Sequence, residues 1–311
     1  MSRAVKIGTR GSKLALYQAE KAKSALKEKF PEITFSLEIV HTKGDKIQDV
    51  ALSKIGDKGL FTKEIEQALL DGRIDMAVHS AKDLPTELPE GLKLGAVLKR
   101  AECREALIAA KGRKLEDLNE NDIIGTSSVR RRAQLLKINP KLKIIDIRGN
   151  VQTRLKKWRS GYCTATIMAA AGLQRMKLDD AISELISLDK MIHAPAQGII
   201  AIETREEDEF VDSLMAQINH KESWIMAQTE YTFLAALEGG CQVPIACHSE
   251  VNGEEITLTA QILSPDGSRS IKDTVKCNTA EAVETAQKLA ASFLKQGALE
   301  ILGSIERQKT K

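Results

Sequence analysis

The chain has 311 residues, 42% of them hydrophobic and 29% charged, a length that accommodates two or three domains with their own cores. Lysine plus arginine exceed aspartate plus glutamate by only 46 − 43 = 3, and aromatic residues make up 4%. That balance excludes a globally basic nucleic-acid binder and a stacking platform for single strands, so any strong positive field has to come from local clustering. The five cysteines (Cys103, Cys163, Cys241, Cys247 and Cys277) are odd in number and widely spread. They predict a reducing compartment, and the lack of an apolar leader or long apolar run predicts a cytoplasmic protein without a membrane partner.

Residues 5–9 are short, apolar and partly β-branched, and predict a strand. Arg10-Gly11-Ser12 follows, then apolar residues at helical spacing through Leu26, with Ser12 as N-cap. A strand feeding a helix through Arg-Gly-Ser offers an anion free N–H groups, a positive dipole end and an arginine. Residues 35–40 predict a second strand, 41–59 a long polar loop, and 62–70 a helix. Residues 74–79 predict a strand with Ser80-Ala81-Lys82-Asp83 just beyond its C-terminal end, where parallel α/β sheets bind ligands. An acid there can transfer a proton or hold a cation, although adjacent Lys and Asp are also a common solvated pair.

The middle of the chain repeats this plan. Ile123-Ile124-Gly125-Thr126 echoes Ile7-Gly8-Thr9, and a helix opens with Ser127-Ser128-Val129-Arg130-Arg131-Arg132. A strand ends in Arg148-Gly149-Asn150, a helix carries Arg154, and a strand over 164–168 leads to Ala169-Ala170-Ala171-Gly172 and Arg175. The expectation is two similar α/β domains around a cleft, with a strand at 199–202 returning to the first. The boundaries expected are 1–98 with 193–217 for domain 1, 99–192 for domain 2, and 218–311 for a small α+β domain 3. Domain 3 is expected to hold strands at 248–251 and 256–263, a Pro265-Asp266-Gly267 turn, and a helix from 280 to 294.

Arginine is the strongest chemical signal: Arg10, Arg130, Arg131, Arg148, Arg154 and Arg175 all fall at strand ends or early helix turns. Their planar forks suit carboxylate or phosphate, so a cleft lined by them implies a ligand with several negative charges. Three consecutive arginines cannot share one face, and Arg132 is expected to be the solvated one. In Leu237-Glu238-Gly239-Gly240-Cys241-Gln242-Val243-Pro244, two glycines and a proline frame one thiol in a tight loop. Cys241, Cys247 and His248 are close in sequence, but their spacing matches no common zinc pattern, and no metal is expected.

Seven ordered stretches resemble the porphobilinogen deaminase (hydroxymethylbilane synthase) family: IGTRGSKLALYQA, KGLFTKEIE, AVHSAKDLP, IGTSSVRRRAQL, RGNVQTRL, AAAGLQR and LEGGCQVPIA. The resemblance runs nearly end to end. It implies an α/β fold: two periplasmic-binding-protein-like domains around a cleft plus a small α+β C-terminal domain. It implies a transferase of tetrapyrrole (porphyrin, heme) biosynthesis that joins four porphobilinogen molecules head to tail, releasing ammonia, to give hydroxymethylbilane. It further implies a dipyrromethane cofactor bound by a thioether to Cys241, with Asp83 as catalytic acid/base.

By the same resemblance, Ser80, Lys82, Thr126, Ser127, Ser128, Arg130, Arg131, Arg148 and Gly172 bind cofactor. Arg10, Ser12, Gln18, Lys58, Phe61, Arg148, Arg154 and Arg175 bind substrate. The protein is expected to be a monomer with porphobilinogen as its small-molecule partner; a contact with the next pathway enzyme, uroporphyrinogen-III synthase, has no signature in the sequence. Departures from the family pattern are Leu84, Thr164, Glu203-Thr204-Arg205, and Glu230-Tyr231 where Glu-Arg is usual. The alternative class is a non-catalytic polyanion-binding protein of the same fold.

Overall fold

A computed structural model describes residues 4–46, 62–237 and 243–302. The first sheet takes strands Val5–Thr9 (β1), Phe35–Ile39 (β2), Met76–Ser80 (β3) and Leu92–Val97 (β4). The second takes Glu105–Ile108 (β5), Ile123–Gly125 (β6), Lys143–Ile145 (β7), Ala165–Ala169 (β8) and Glu184–Leu185 (β9). The chain then returns as Ile200–Arg205 (β10) between β3 and β4, giving the order β2-β1-β3-β10-β4. The second sheet has the same plan, β7-β6-β8-β5-β9.

In each five-stranded sheet four strands run in one direction and a single strand, β10 or β5, runs antiparallel to both its neighbours. The sheets are therefore mixed rather than purely parallel. The inserted strand is in each case the one that arrives from the other sheet. The chain thus crosses between domains twice, after β4 and after β9. Gly198 lies in the second crossover at φ +88°, and a Cβ there would stand 2.8 Å from the Ala101 carbonyl oxygen of the first. Only a residue without a side chain lets these two strands of the hinge touch.

Among the described residues the helices of the first two domains are Lys13–Lys29 (α1), Lys43–Lys46 (α2), Lys63–Leu70 (α3), Val129–Ile138 (α4), Val151–Arg159 (α5), Ala170–Arg175 (α6) and Glu209–Ile218 (α7). Helix α1 has apolar residues at period 3.6, and Ala19, Ala22 and Leu26 are buried on the first sheet against Val5, Ile7 and Met76. Helix α3 covers the opposite face through Ile65 and Leu69. Each such buried aliphatic side chain contributes about 1.5–3 kcal/mol, which makes the sheets rigid platforms for their end loops.

The third domain packs helices Lys221–Ala236 (α8) and Ala282–Lys295 (α9) on the antiparallel sheet of Ile245–Asn252 (β11), Glu255–Leu263 (β12) and Ser270–Asn278 (β13). Phe233 and Phe293 meet edge to face with centroids 5.4 Å apart. The turn between β12 and β13 reaches α4 of the second domain, where Lys137 donates to Ser270 at 2.7 Å. Among the described residues no helix is long and apolar enough to cross a membrane.

Candidate active site

The parallel strands deliver their C-terminal ends to one cleft. β1 hands over to Arg10 and to Ser12, whose hydroxyl caps α1 by accepting from the Ala15 N–H at 3.2 Å. β3 ends at Ser80, and a single 3₁₀ turn, Ala81–Asp83, then carries Lys82 and Asp83. Across the cleft, Ser127 follows β6, Arg148 follows β7, and Gly172 and Arg175 lie on α6 directly after β8. These residues and Arg154 of α5 enclose a cavity of about 390 Å³. Its described walls hold Arg10, Arg131, Arg148, Arg154, Arg175, Lys13 and Lys82 around a single carboxylate, Asp83.

The cations are anchored by backbone and by one buried acid. Glu105 accepts from Arg130 at 2.6 Å and from Arg131 at 2.7 Å. Burial by itself raises a carboxyl's pKa, but Arg131 and Arg130 outweigh it and hold Glu105 well below the usual carboxylate range. Arg131 also donates to the Ile167 carbonyl at 3.0 Å, and its Nε is buried with no hydrogen-bond partner among the described residues. Arg154 donates to the Gly149 carbonyl at 2.8 Å, and Arg175 reaches the Gly198 carbonyl at 2.6 Å, from one domain to the crossover. Burial, with Arg131 nearby, pushes Arg154 down to about 10, which leaves it charged at neutral pH.

Lys82 donates to Gln197 at 3.1 Å. Burial pushes it down to about 8, against the opposing pull of Asp83. Asp83 itself is exposed to the cleft. Ser80 exchanges hydrogen bonds with Gln18 at 2.8 and 3.2 Å, and Ser127 bridges both backbone groups of Ile147 at 3.0 and 3.1 Å.

Not every residue expected in the site lines this cavity. Arg130 is turned into the protein, its guanidinium shared between Glu105 and the Ile192 carbonyl. Gln18 is buried behind Ser80, Thr126 accepts from the Ser128 N–H, and Ser128 caps α4 by accepting from the Arg131 N–H. These four act on the walls rather than in them. Arg132 is exposed. Lys58, Phe61 and Cys241 lie outside the described residues, as does most of the 41–59 loop.

Two residues escaped the sequence reading. Gln197 holds Lys82 and donates to the Cys103 carbonyl at 2.9 Å, and its only signal was the Gly-Pro-containing stretch around it. Glu105, a lone acid in an apolar strand, carries no signal at all. The departures also find physical roles. Tyr231 donates its hydroxyl to the Ala81 carbonyl at 2.5 Å, so it makes an interdomain contact of its own. Thr164 donates to Asp122 at 2.9 Å and accepts from the Ile123 N–H at 3.0 Å.

The family model described as "Porphobilinogen deaminase, dipyromethane cofactor binding domain" matches residues 5–213, and that described as "Porphobilinogen deaminase, C-terminal domain" matches residues 224–295. The chain belongs to the porphobilinogen deaminase family. A porphobilinogen deaminase of Syntrophomonas wolfei is 46% identical over 96% of this chain and 98% of its own length. One of Geobacter metallireducens is 44% identical over 98% and 96%. Among solved structures, the BenM effector-binding domain with benzoate aligns at TM-score 0.43 and 18% identity over 69% of this chain and 90% of that one. The two cleft-forming domains fall in the stretch that the family model names for cofactor binding, and the third domain is the family's C-terminal domain.

Proposed function

We propose that this chain is a transferase that joins four porphobilinogen molecules head to tail, with loss of ammonia, to give hydroxymethylbilane on a dipyrromethane held at Cys241. The observation that carries the reading is the charge of the cavity's described walls: five arginines and two lysines around one carboxylate. Each porphobilinogen brings two carboxylates, so a lengthening chain is a polyanion that needs several fixed cations. The Nε of Arg131, buried and without a partner among the described residues, is a donor that a ligand carboxylate satisfies, and the donor set as a whole fits the dipyrromethane.

Ser127, Lys82, Arg131, Arg148 and the open face of Gly172 would hold the dipyrromethane, with Ser80, Thr126, Ser128 and Arg130 fixing their positions. Arg10, Ser12, Arg154 and Arg175 would take the incoming porphobilinogen's acetate and propionate, with Lys58 and Phe61 assigned to the same task by family resemblance. When bound, the dipyrromethane supplies the pyrrole carbon to which new units are joined. Asp83, the one acid among the described residues of the cleft wall, accepts a hydrogen bond from a pyrrole N–H, stabilises the positive charge left on the substrate's methylene-pyrrole as ammonia leaves, takes up the proton released when the pyrroles are joined, and returns it to the next leaving amine. Gln197 holds the Lys82 ammonium beside it. We assign the domains as 1–98 with 193–217, 99–192 and 218–311, and the protein as a cytoplasmic monomer.

Intact-mass spectrometry tests this. Wild type, as purified or after incubation of the cofactor-free protein with porphobilinogen, should exceed its sequence mass by a gain of two linked pyrrole units, and a Cys241→Ser variant should not. No gain in the wild type, or the same gain in the variant, overturns the assignment.

A further inference from the structure

Outside the cleft, three side chains with metal-binding atoms converge where the three domains meet. Cys103 lies in the first crossover, His193 in the second, and His248 on β11 of the third domain. The Cys103 Sγ, the His193 Nε2 and the His248 Nδ1 all lie within 4.8 Å of one another. His193 Nε2 stands 2.8 Å from His248 Nδ1, and Cys103 Sγ stands 3.9 Å from that same nitrogen. We infer that Cys103, His193 and His248 form a binding site for a zinc-class divalent ion that ties the two crossovers to the third domain.

The chemistry of the set is that of a borderline-soft ion: one thiolate and two imidazoles. Bonds of about 2.0–2.1 Å to nitrogen and about 2.3 Å to sulfur in a tetrahedron put ligand atoms about 3.3–3.7 Å apart. The His193–His248 spacing has to open by about half an ångström and the Cys103–His248 spacing to close by a few tenths to reach those values, with the Cys103 Sγ, which is within 4.8 Å of His193 Nε2, swinging in toward the two nitrogens. The second shell is in place. His193 Nδ1 is 2.7 Å from the Ala194 carbonyl, which makes Nδ1 the protonated nitrogen and directs the Nε2 lone pair to the centre.

His193 is fully buried, while Cys103 and His248 are partly exposed and leave an entry path. Three protein ligands leave a fourth position for water. The opposing group is Arg100, whose Nη2 is 3.4 Å from His193 Nε2. Its charge is matched by a two-pronged bond to Glu230, at 2.7 and 3.1 Å. Cys103 adds a further negative charge on binding, releasing its thiol proton to solvent as the metal–sulfur bond forms. This set shares only His248 with the Cys241-Cys247-His248 spacing weighed from sequence, and the Cys247 side chain belongs instead to the core of the third domain.

The test uses the cofactor-loaded protein, stripped with chelator and reloaded with Zn²⁺ or Co²⁺. The expected result is one Zn²⁺ per chain after desalting, a thiolate-to-cobalt charge-transfer band with Co²⁺, and a higher melting temperature with Zn²⁺. Cys103→Ser should abolish the charge-transfer band, and His248→Ala should weaken Zn²⁺ binding at least tenfold. A wild type that retains no stoichiometric zinc and shows no charge-transfer band overturns the site, whatever the variants do. Equal zinc retention in wild type and both variants overturns it as well.

Discussion

Asp83 and Lys82 are neighbours in sequence but differ in how the protein surrounds them. Asp83 opens to the cleft, whereas Lys82 is tied to Gln197 and desolvated. Replacing Asp83 with Ala should lower turnover by about 10²–10⁴-fold while the mass gain of the loaded protein persists. Steady-state rates beside intact mass separate the two effects. Lys82 has to be protonated to hold a carboxylate, and burial has brought its pKa down to about 8. Anion capture through it is therefore complete well below pH 8 and is lost as pH rises through that value. Loading of the cofactor-free protein with porphobilinogen should slow across that window. Lys82→Arg, with a guanidinium that stays charged, should flatten the alkaline limb relative to wild type.

At the scale of elements, the site depends on helices that start where strands stop. Asn150 accepts from the Thr153 N–H at 3.0 Å and so caps α5, the helix that carries Arg154. Asn150→Ala should cost about 1 kcal/mol, read as a lowered melting temperature, and should weaken substrate binding through the displaced first turn. The element reading from sequence succeeded where a strand-turn-helix unit announces itself locally. The Ser12 cap, the strand end at Thr9, the echo of that unit at Ile123-Ile124-Gly125-Thr126, and the late strand returning to the first sheet all have such signals. It missed β4, β5, β9, β13 and α7. Strand β5 is four buried residues headed by Glu105, a pattern that looks like any apolar run until β8 and β9 flank it.

Over the whole molecule, the junction of the three domains is held by one buried ion pair. Arg100, after β4, meets Glu230 of α8, and Glu230 also accepts from the Ala196 and Ser249 N–H groups at 2.6 and 2.7 Å. Burial raises the Glu230 carboxyl, but Arg100 prevails and holds it down at about 2 against an ordinary 4.5. A depressed carboxyl contributes stability that is complete above its unfolded value and is lost as pH falls from about 4.5 toward about 2. Glu230→Gln leaves Arg100 buried without its counter-charge, a loss of about 3–5 kcal/mol. Thermal unfolding at neutral pH should show that loss, and the gap between wild type and variant should close as the buffer is acidified through this window.

The sequence by itself determined the chemistry class of the cleft. Strand-end placement of Arg10, Lys82, Asp83, Arg148 and Arg175 follows from local rules of strand, cap and turn, and these residues do line the cavity. The three-part architecture was legible for the same reason, since hydrophobic period and turn residues act over a few positions. What only the tertiary structure decided are the partners across long separations. Arg130 and Arg131 are adjacent, chemically identical and both bound to Glu105, yet Arg130 turns on to the Ile192 carbonyl while Arg131 also faces the cavity. Cys103 and His248 are 145 positions apart and meet only because the chain crosses twice between its sheets. No local pattern encodes such meetings, because the free energy that brings them together comes from burying the sheets and helices that carry them.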